Sequence, residues 1–184
     1  MVQLDKALKK MVRLFKKKSV KVVLVGGLAC GVWKHVRATK DIDFLVASED
    51  YEKIIQIMKS LGYEGCKEFD QLGILKFPEI PAKDLPEVDF VIANQDFLKK
   101  ILKTAPVGDF NGEEISVSDP EQLIILKLKA INDNPDRDLD WYDIKSLIRL
   151  NRSNISYPVI NSFLEKFNLM DKSNEIKKEF NEID

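Results

Sequence analysis

Asp41 and Asp43 stand one residue apart in the segment RATKDIDFLVA, residues 37–47. The aliphatic and aromatic residues around them read as a β-strand. Residues i and i+2 of a strand point to the same face. Asp41 and Asp43 therefore project together, while Ile42, Phe44 and Val46 project the other way, into a core. Two carboxylates about 6–7 Å apart repel each other when both are ionised, and taking them out of water costs free energy. The arrangement is tolerable near water, beside cations or around a divalent metal. Mg²⁺ fits it, with Mn²⁺ as a substitute, because Mg²⁺ takes oxygen ligands and is held by one or two carboxylates plus substrate phosphates. A third carboxylate, Asp89, interrupts the apolar run EVDFVIA between Val88 and Phe90. If the two strands are neighbours, Asp41, Asp43 and Asp89 converge and can hold two metal ions, one activating a nucleophile and one on the phosphates. Each aspartate alone also has a plainer reading, a strand-end carboxylate facing solvent.

Upstream, Gly26 and Gly27 end one strand and open a helix. Without Cβ atoms their backbone can approach a ligand closely, and the free N–H groups of a helix start suit a phosphate. The pair is neither a Walker loop nor a dinucleotide fingerprint, since neither spacing is present; a plain tight turn is the alternative. Lys127 lies on the apolar stripe of LIILKLKAI and needs an anion or a route to solvent, so it reads as a contact to an anionic ligand, a snorkelling lysine or a structural ion pair. Arg37 is a candidate for a phosphate or for an ion pair with Asp140 or Asp143. In PDRDLDWYD, Arg137, Asp140 and Asp143 fall at i,i+3 spacings on a helix, giving either a structural network or a carboxylate that positions a ligand. His35 is a base or a surface or packing residue, Cys30 a small core residue, and Trp141 a core residue or a stacking surface.

The elements that position these residues follow from pattern. Residues 2–18 read as a basic amphipathic helix with Leu4, Leu8, Met11, Val12 and Phe15 on one face. Its lysine face is a plain surface, or a weak RNA or membrane contact. Then come the strand VKVVLVGG, a short helix in LACGVWKHV that carries Trp33 and His35, and the strand DIDFLVA. The helix EDYEKIIQIMKSLGY follows, with Ser48 as N-cap and Gly62 at its end. One or two strands occupy 63–80, LGILKFPEI being the clearest. After EVDFVIA, Asn94 caps QDFLKKILKT, and Asn111-Gly112 turns a hairpin in VGDFNGEEISV. Beyond residue 118 the chain is helical, beginning with Asp119 as cap and Pro120 in the first turn. The division is 1–118, a mixed α/β part, and 119–184, a helical part.

With 184 residues and a net charge of −1, the chain is about one domain and carries no global attraction for nucleic acid. Two distant cysteines and one histidine argue against a disulfide framework, a histidine-rich zinc site and a Ser-His-Asp triad. No apolar run reaches membrane-spanning length and the start does not read as a signal peptide, so the expected location is the cytoplasm.

Val25-Gly26-Gly27, thirteen residues, then Asp41-Ile42-Asp43-Phe44, with Asp89 on a later strand, resembles the signature of the nucleotidyltransferase fold of the polymerase-beta type. GGLACGVWKHVRATKDID, with Arg37 and Thr39 ahead of the aspartates, and ISVSDPEQLIILKLKA followed by RDLDWYDI look like its AbiEii-type branch. The resemblance implies an α/β (α+β) fold, a mixed sheet flanked by helices with a small C-terminal helical region. It also implies Mg²⁺-dependent transfer of a nucleotidyl group from an NTP such as ATP or GTP to a hydroxyl of RNA, protein or a small molecule. Gly26 and Gly27, with Arg37, Thr39 and Lys127, would bind nucleotide. Asp41, Asp43 and Asp89 would hold metal, and Asp89 would help deprotonate the acceptor, with Asp140 and Arg137 in support. The branch implies a toxin with a cognate antitoxin. An antibiotic-modifying enzyme and a nucleotide-binding module without turnover are the alternatives.

Overall fold

The computed structural model describes residues 4–69 and 73–181. The chain divides into two compact units, Met1–Ala29 with Arg37–Ser118, and Cys30–Val36 with Asp119–Asp184.

The first unit is built on a mixed sheet. Its described strands are β1 (Val22–Val25), β2 (Asp41–Ala47), β3 (Lys67–Phe69), β4 (Ile74–Phe77), β5 (Glu87–Ala93), β6 (Val107–Asp109) and β7 (Glu114–Val117), in the order β3-β4-β5-β2-β1-β7-β6. At its centre β2 pairs antiparallel with β1 and parallel with β5. The helices are α1 (Leu4–Lys17), α2 (Gly26–Val32, which runs on into the second unit), α3 (Tyr51–Leu61) and α4 (Gln95–Thr104). The alternation in β2 and β5 sorts side chains as expected. Ile42, Phe44, Val88 and Phe90 are fully buried on one face. There Phe44 stacks on Phe90 with ring centroids 5.5 Å apart, and Phe15 of α1 meets Phe44 edge-on at 5.2 Å. Phe77 of β4 extends the cluster to Phe90 at 5.7 Å and to Tyr63 at 5.8 Å. Each such ring contributes about 1.5–3 kcal/mol through burial. This aromatic layer holds β2, β4 and β5 in fixed register, and so fixes what stands on the opposite face.

The local signals act where the sequence places them. Ala7, Leu8, Met11, Val12 and Phe15 form the buried stripe of α1. The Asn94 side chain accepts from the Phe97 N–H at 2.8 Å and caps α4. Asn111 and Gly112 both have positive φ, 56° and 82°, and turn the β6–β7 hairpin. Gly62, at φ 101°, ends α3. Two expectations shift. Ser48 does not cap α3: it begins a single 3₁₀ turn, Ser48–Asp50, and its hydroxyl donates to Glu49. α2 ends at Val32, so Trp33 lies in the turn that follows, which Lys34 completes at φ 70°, and His35 lies beyond it.

The second unit is helical: α5 (Pro120–Asp133), α6 (Asp138–Asn151), α7 (Tyr157–Lys166) and α8 (Ser173–Asn181). Asp119 accepts from the Gln122 N–H at 2.8 Å and starts α5, with Pro120 at its first position. Ile124, Leu128, Ile144, Leu147, Ile160 and Ile176 form its dry core. Arg149 clamps the buried Glu179 carboxylate with two nitrogens, at 2.5 and 3.1 Å, tying α6 to α8. Trp141 is half-buried, with the Lys172 ammonium 5.7 Å above its ring.

Candidate active site

The register of the central strands assembles the acidic residues. Asp43 of β2 pairs with Val25 of β1 and, on its other side, with Asp89 of β5. Asp41 pairs with Glu87. Paired residues share a face, as do i and i+2. Four carboxylates, Asp41, Asp43, Glu87 and Asp89, therefore stand on one face of two adjacent strands. They lie at the end of the sheet where β1 finishes and β2 and β5 begin. The face opposite carries the aromatic layer.

Each carboxylate has a defined contact. The Thr39 hydroxyl donates a short hydrogen bond to Asp41 Oδ1. Asp43 lies over the glycine pair. Gly26 has φ +64°, and a Cβ there would fall 1.8 Å from Asp43 Oδ2. A Cβ on Gly27 would fall 2.7 Å from Thr39 Oγ1 and 3.4 Å from Arg37 Nη1. The two glycines are thus required by close approach, and their neighbours are Asp43, Thr39 and Arg37. The Arg37 guanidinium also donates to the Ala38 carbonyl at 3.2 Å.

Asp89 is 8 % exposed. Its Oδ2 accepts a short, charge-assisted hydrogen bond from Lys76 of β4, while its Oδ1 is buried without a hydrogen-bond partner among the described residues. Burial raises the Asp89 carboxyl above its ordinary range. Lys76 pulls it back, and Glu87 and Asp41 push it up again. Lys76 is also 3.2 Å from Glu87. Burial lowers the Lys76 ammonium, and Asp89 and Glu87 outweigh that and raise it.

The donor set suits a hard divalent cation. It consists of carboxylate oxygens on adjacent strands, repelling one another, with one buried oxygen unsatisfied. As the side chains stand, no group of three histidine, cysteine or carboxylate side chains among the described residues is placed to enclose an ion.

Gly26, Gly27, Arg37, Thr39, Asp41, Asp43 and Asp89 all belong to the first unit, and Lys127, Arg137 and Asp140 to the second. There Lys127 lies 2.7 Å from both Asp140 Oδ1 and Asp143 Oδ2. Arg137 donates to the other Asp140 oxygen. His35 Nε2 is 2.7 Å from Asp143 Oδ1, and its ring meets Tyr142 edge-on at 5.4 Å. Burial alone lowers the Lys127 ammonium; Asp140, Cys30 and Asp143 more than offset it, so it is raised and stays charged. The ion-pair reading of Lys127 is the geometry found, and His35 is a buried network member.

Lys76 and Glu87 are the site residues that sequence reasoning missed. Glu87 had a signal: Glu-Val-Asp repeats the i,i+2 spacing of Asp-Ile-Asp. Lys76 had a weaker one, a single cation in the strand ILKF.

The mixed sheet flanked by helices matches the nucleotidyltransferase fold. The chain belongs to the family described as "Nucleotidyl transferase of unknown function (DUF2204)", whose profile matches residues 4–182. Solved structures agree at the level of fold. The antibiotic-resistance factor ANT(2'')-Ia is 16% identical with a TM-score of 0.62, over 93% of this chain and 94% of that one. An antigenic nucleotidyltransferase-like protein from Paracoccidioides brasiliensis is 18% identical with a TM-score of 0.58, over 97% and 92%. A lincomycin-bound lincosamide antibiotic adenylyltransferase is 18% identical with a TM-score of 0.55, over 77% and 94%. No curated protein sequence matches the chain. Among the described residues no helix is long and apolar enough to cross a membrane.

Proposed function

We propose that this nucleotidyltransferase moves a nucleoside monophosphate from an NTP to a hydroxyl acceptor with the help of Mg²⁺ or Mn²⁺. The observation that carries the reading is the register Asp43↔Asp89 beside Gly26 and Gly27, which gathers an acidic face at a side-chain-free turn. Asp41 and Asp43 would hold the divalent ion, which would supply positive charge to the triphosphate. The Gly26-Gly27 backbone lets the phosphates lie close, and Arg37 adds a cation at the same turn. Thr39 fixes the orientation of Asp41. Asp89 takes the proton of the acceptor hydroxyl. The acceptor oxygen bonds to the α-phosphorus, the bond from that phosphorus to the bridging oxygen breaks, and pyrophosphate leaves. Such chemistry rests on positioning and electrostatics rather than on covalent catalysis.

Two acceptor classes have support. A small hydroxylated molecule is favoured by the match in length and fold to the antibiotic-resistance factor and in fold to the lincosamide adenylyltransferase. RNA is favoured by the exposed cations of α1, Lys6, Lys10, Arg13, Lys16 and Lys17, and by the AbiEii-like segments. On that second reading the chain is a cytoplasmic toxin and has a cognate antitoxin. The test is transfer of label from each α-³²P-NTP, with Mg²⁺, to tRNA, to total protein or to aminoglycosides and lincosamides. An Asp41→Ala/Asp43→Ala variant runs beside it. Label in the wild type only, on one acceptor, supports the reading and names the class. Transfer that survives the double substitution refutes it.

A further inference from the structure

The charge of the chain is near zero only as a whole. Its first 40 residues hold 11 of the 29 lysines and arginines but one of the 30 carboxylates, Asp5. Such asymmetry within a chain marks a contact with a polyanion or a membrane surface. Eight of those cations lie between Lys6 and Lys21. On α1, Lys6, Lys10, Arg13 and Lys17 follow at i, i+4, i+7 and i+11, and so form one stripe about 16 Å long. All four are exposed, and the opposite side of the helix is its buried stripe. The β6–β7 hairpin takes up part of the charge. Glu113 pairs with Arg13 at 2.6 Å and with Lys16 at 3.5 Å, and Lys9 donates to the Asn111 carbonyl at 2.5 Å. Lys6, Lys10, Lys17, Lys18 and Lys21 have no ion pair among the described residues. Lys16 and Lys21 border a crevice of about 340 Å³ that Leu102 of α4 also lines. Lys99 and Lys103, exposed on α4, stand within a turn of Leu102. None of this belongs to the acidic face. Phe15 of α1 packs against Phe44 and Phe90, on the aromatic side of the sheet. The stripe points away from the sheet, so a helix about 10–12 Å across and the sheet itself stand between it and Asp41, Asp43 and Asp89.

We propose that α1, with the lysines of α4 beside it, is a docking surface for the phosphate backbone of single-stranded RNA, separate from the acidic face. It holds the body of the acceptor, while the acceptor hydroxyl lies at the carboxylates on the other side of the sheet. A membrane or a protein partner would need exposed apolar side chains to bury. Among the described residues of the first unit, Val107 is the one large apolar side chain that is exposed. The surface offers charge without an apolar anchor, which suits a polyelectrolyte whose condensed counterions are released on binding. That the polymer is RNA rests on the RNA-acceptor reading above, which the inference deepens.

The test is fluorescence anisotropy of a labelled single-stranded RNA of about 20 nucleotides with the full chain, between about 50 and 200 mM salt. Lys6→Glu/Lys10→Glu/Lys17→Glu is expected to weaken binding about tenfold or more at the lower salt. It should also reduce the slope of log K against log salt by about 2, the share of three phosphate contacts on a single strand. Lys166→Glu/Lys177→Glu/Lys178→Glu makes the same change in net charge on exposed lysines of the second unit and should stay within about threefold, since charges beyond a Debye length are screened. Binding of a fluorescent NTP analogue with Mg²⁺ should be the same in the α1 variant as in the wild type. Equal losses of RNA in the two triple variants mean that net charge alone is read, and overturn the docking surface. Wild-type binding to phosphatidylserine vesicles but not to RNA overturns it in favour of a membrane. Loss of NTP binding along with RNA puts the cations in the nucleotide site and also overturns it. The transfer reading fails separately: RNA held by α1 but never labelled refutes RNA as the acceptor and leaves the docking surface standing. Circular dichroism monitors folding. If the α1 triple variant does not fold, Lys10→Gln/Lys17→Gln, which adds no negative charge, decides in its place.

Discussion

Gly26→Ala tests whether the glycine turn and the acidic face are one device. Two costs can be worked from the geometry. Gly26 has φ +64°, and an L-residue in that left-handed region costs roughly 1–2 kcal/mol. The new Cβ would lie 1.8 Å from Asp43 Oδ2, 2.4 Å from its Cγ and 2.7 Å from its Cβ. Rotating the carboxylate clears the first contact but not the last, so β2 or the turn must also give, at about 1–3 kcal/mol for overpacking. The expected loss of stability is about 2–5 kcal/mol, a fall in Tm of roughly 4–20 °C for a chain of this length. The assay is thermal unfolding of a double-mutant cycle. In an Asp43→Ala background the contacts to Cγ and Oδ2 vanish, while the backbone strain and the Cβ contact remain. Gly26→Ala should therefore cost about 1–2 kcal/mol less there than in the wild type. Equal costs in the two backgrounds refute the packing of Asp43 on Gly26. With it would go the argument that the glycine pair exists to bring backbone and carboxylate together.

Lys127→Met should destabilise the second unit by about 3–5 kcal/mol, measured by denaturant unfolding, because it leaves the buried Asp140 and Asp143 facing each other without their shared cation. The Lys127 ammonium is raised above 10.5 in the folded chain, so its contribution is complete below that pH and is lost as pH climbs through the folded value. The alkaline limb of the stability curve should accordingly be shallower in Lys127→Met than in the wild type. Asp119→Ala removes the hydrogen bond to the Gln122 N–H and should cost about 1 kcal/mol, or a Tm lower by roughly 2–4 °C.

What the sequence displayed was whatever depends on neighbours along the chain. The i,i+2 rule put Asp41 and Asp43 on one face, and the same rule left Phe44 for the core. Asn111-Gly112, Asn94 and Asp119 act through bonds that close within a few residues, and all three were legible. Ser48 misled because Ser48–Asp50 forms a 3₁₀ turn ahead of α3, a choice that capping chemistry alone does not make. For His35 the packing role held but the helix did not: α2 stops at Val32, one turn short, and the partner of the buried ring, Asp143, stands 108 positions away.

Lys76 shows where such reading must stop. Its strand is a four-residue run, Ile-Leu-Lys-Phe, and alternation says only that the lysine points away from Leu75 and Phe77. Its importance comes from pairing: β4 lies antiparallel to β5 in a register that sets Lys76 against Asp89. A slip of one residue would send the lysine into the aromatic layer and Leu75 or Phe77 onto the acidic face. The apolar residues of β4 thus decide which carboxylate receives a cation. The charge beside Asp89 is thus set by packing on the other side of the sheet. A substitution such as Phe77→Ala, remote from every carboxylate, should therefore loosen the Lys76–Asp89 pair as well as the core.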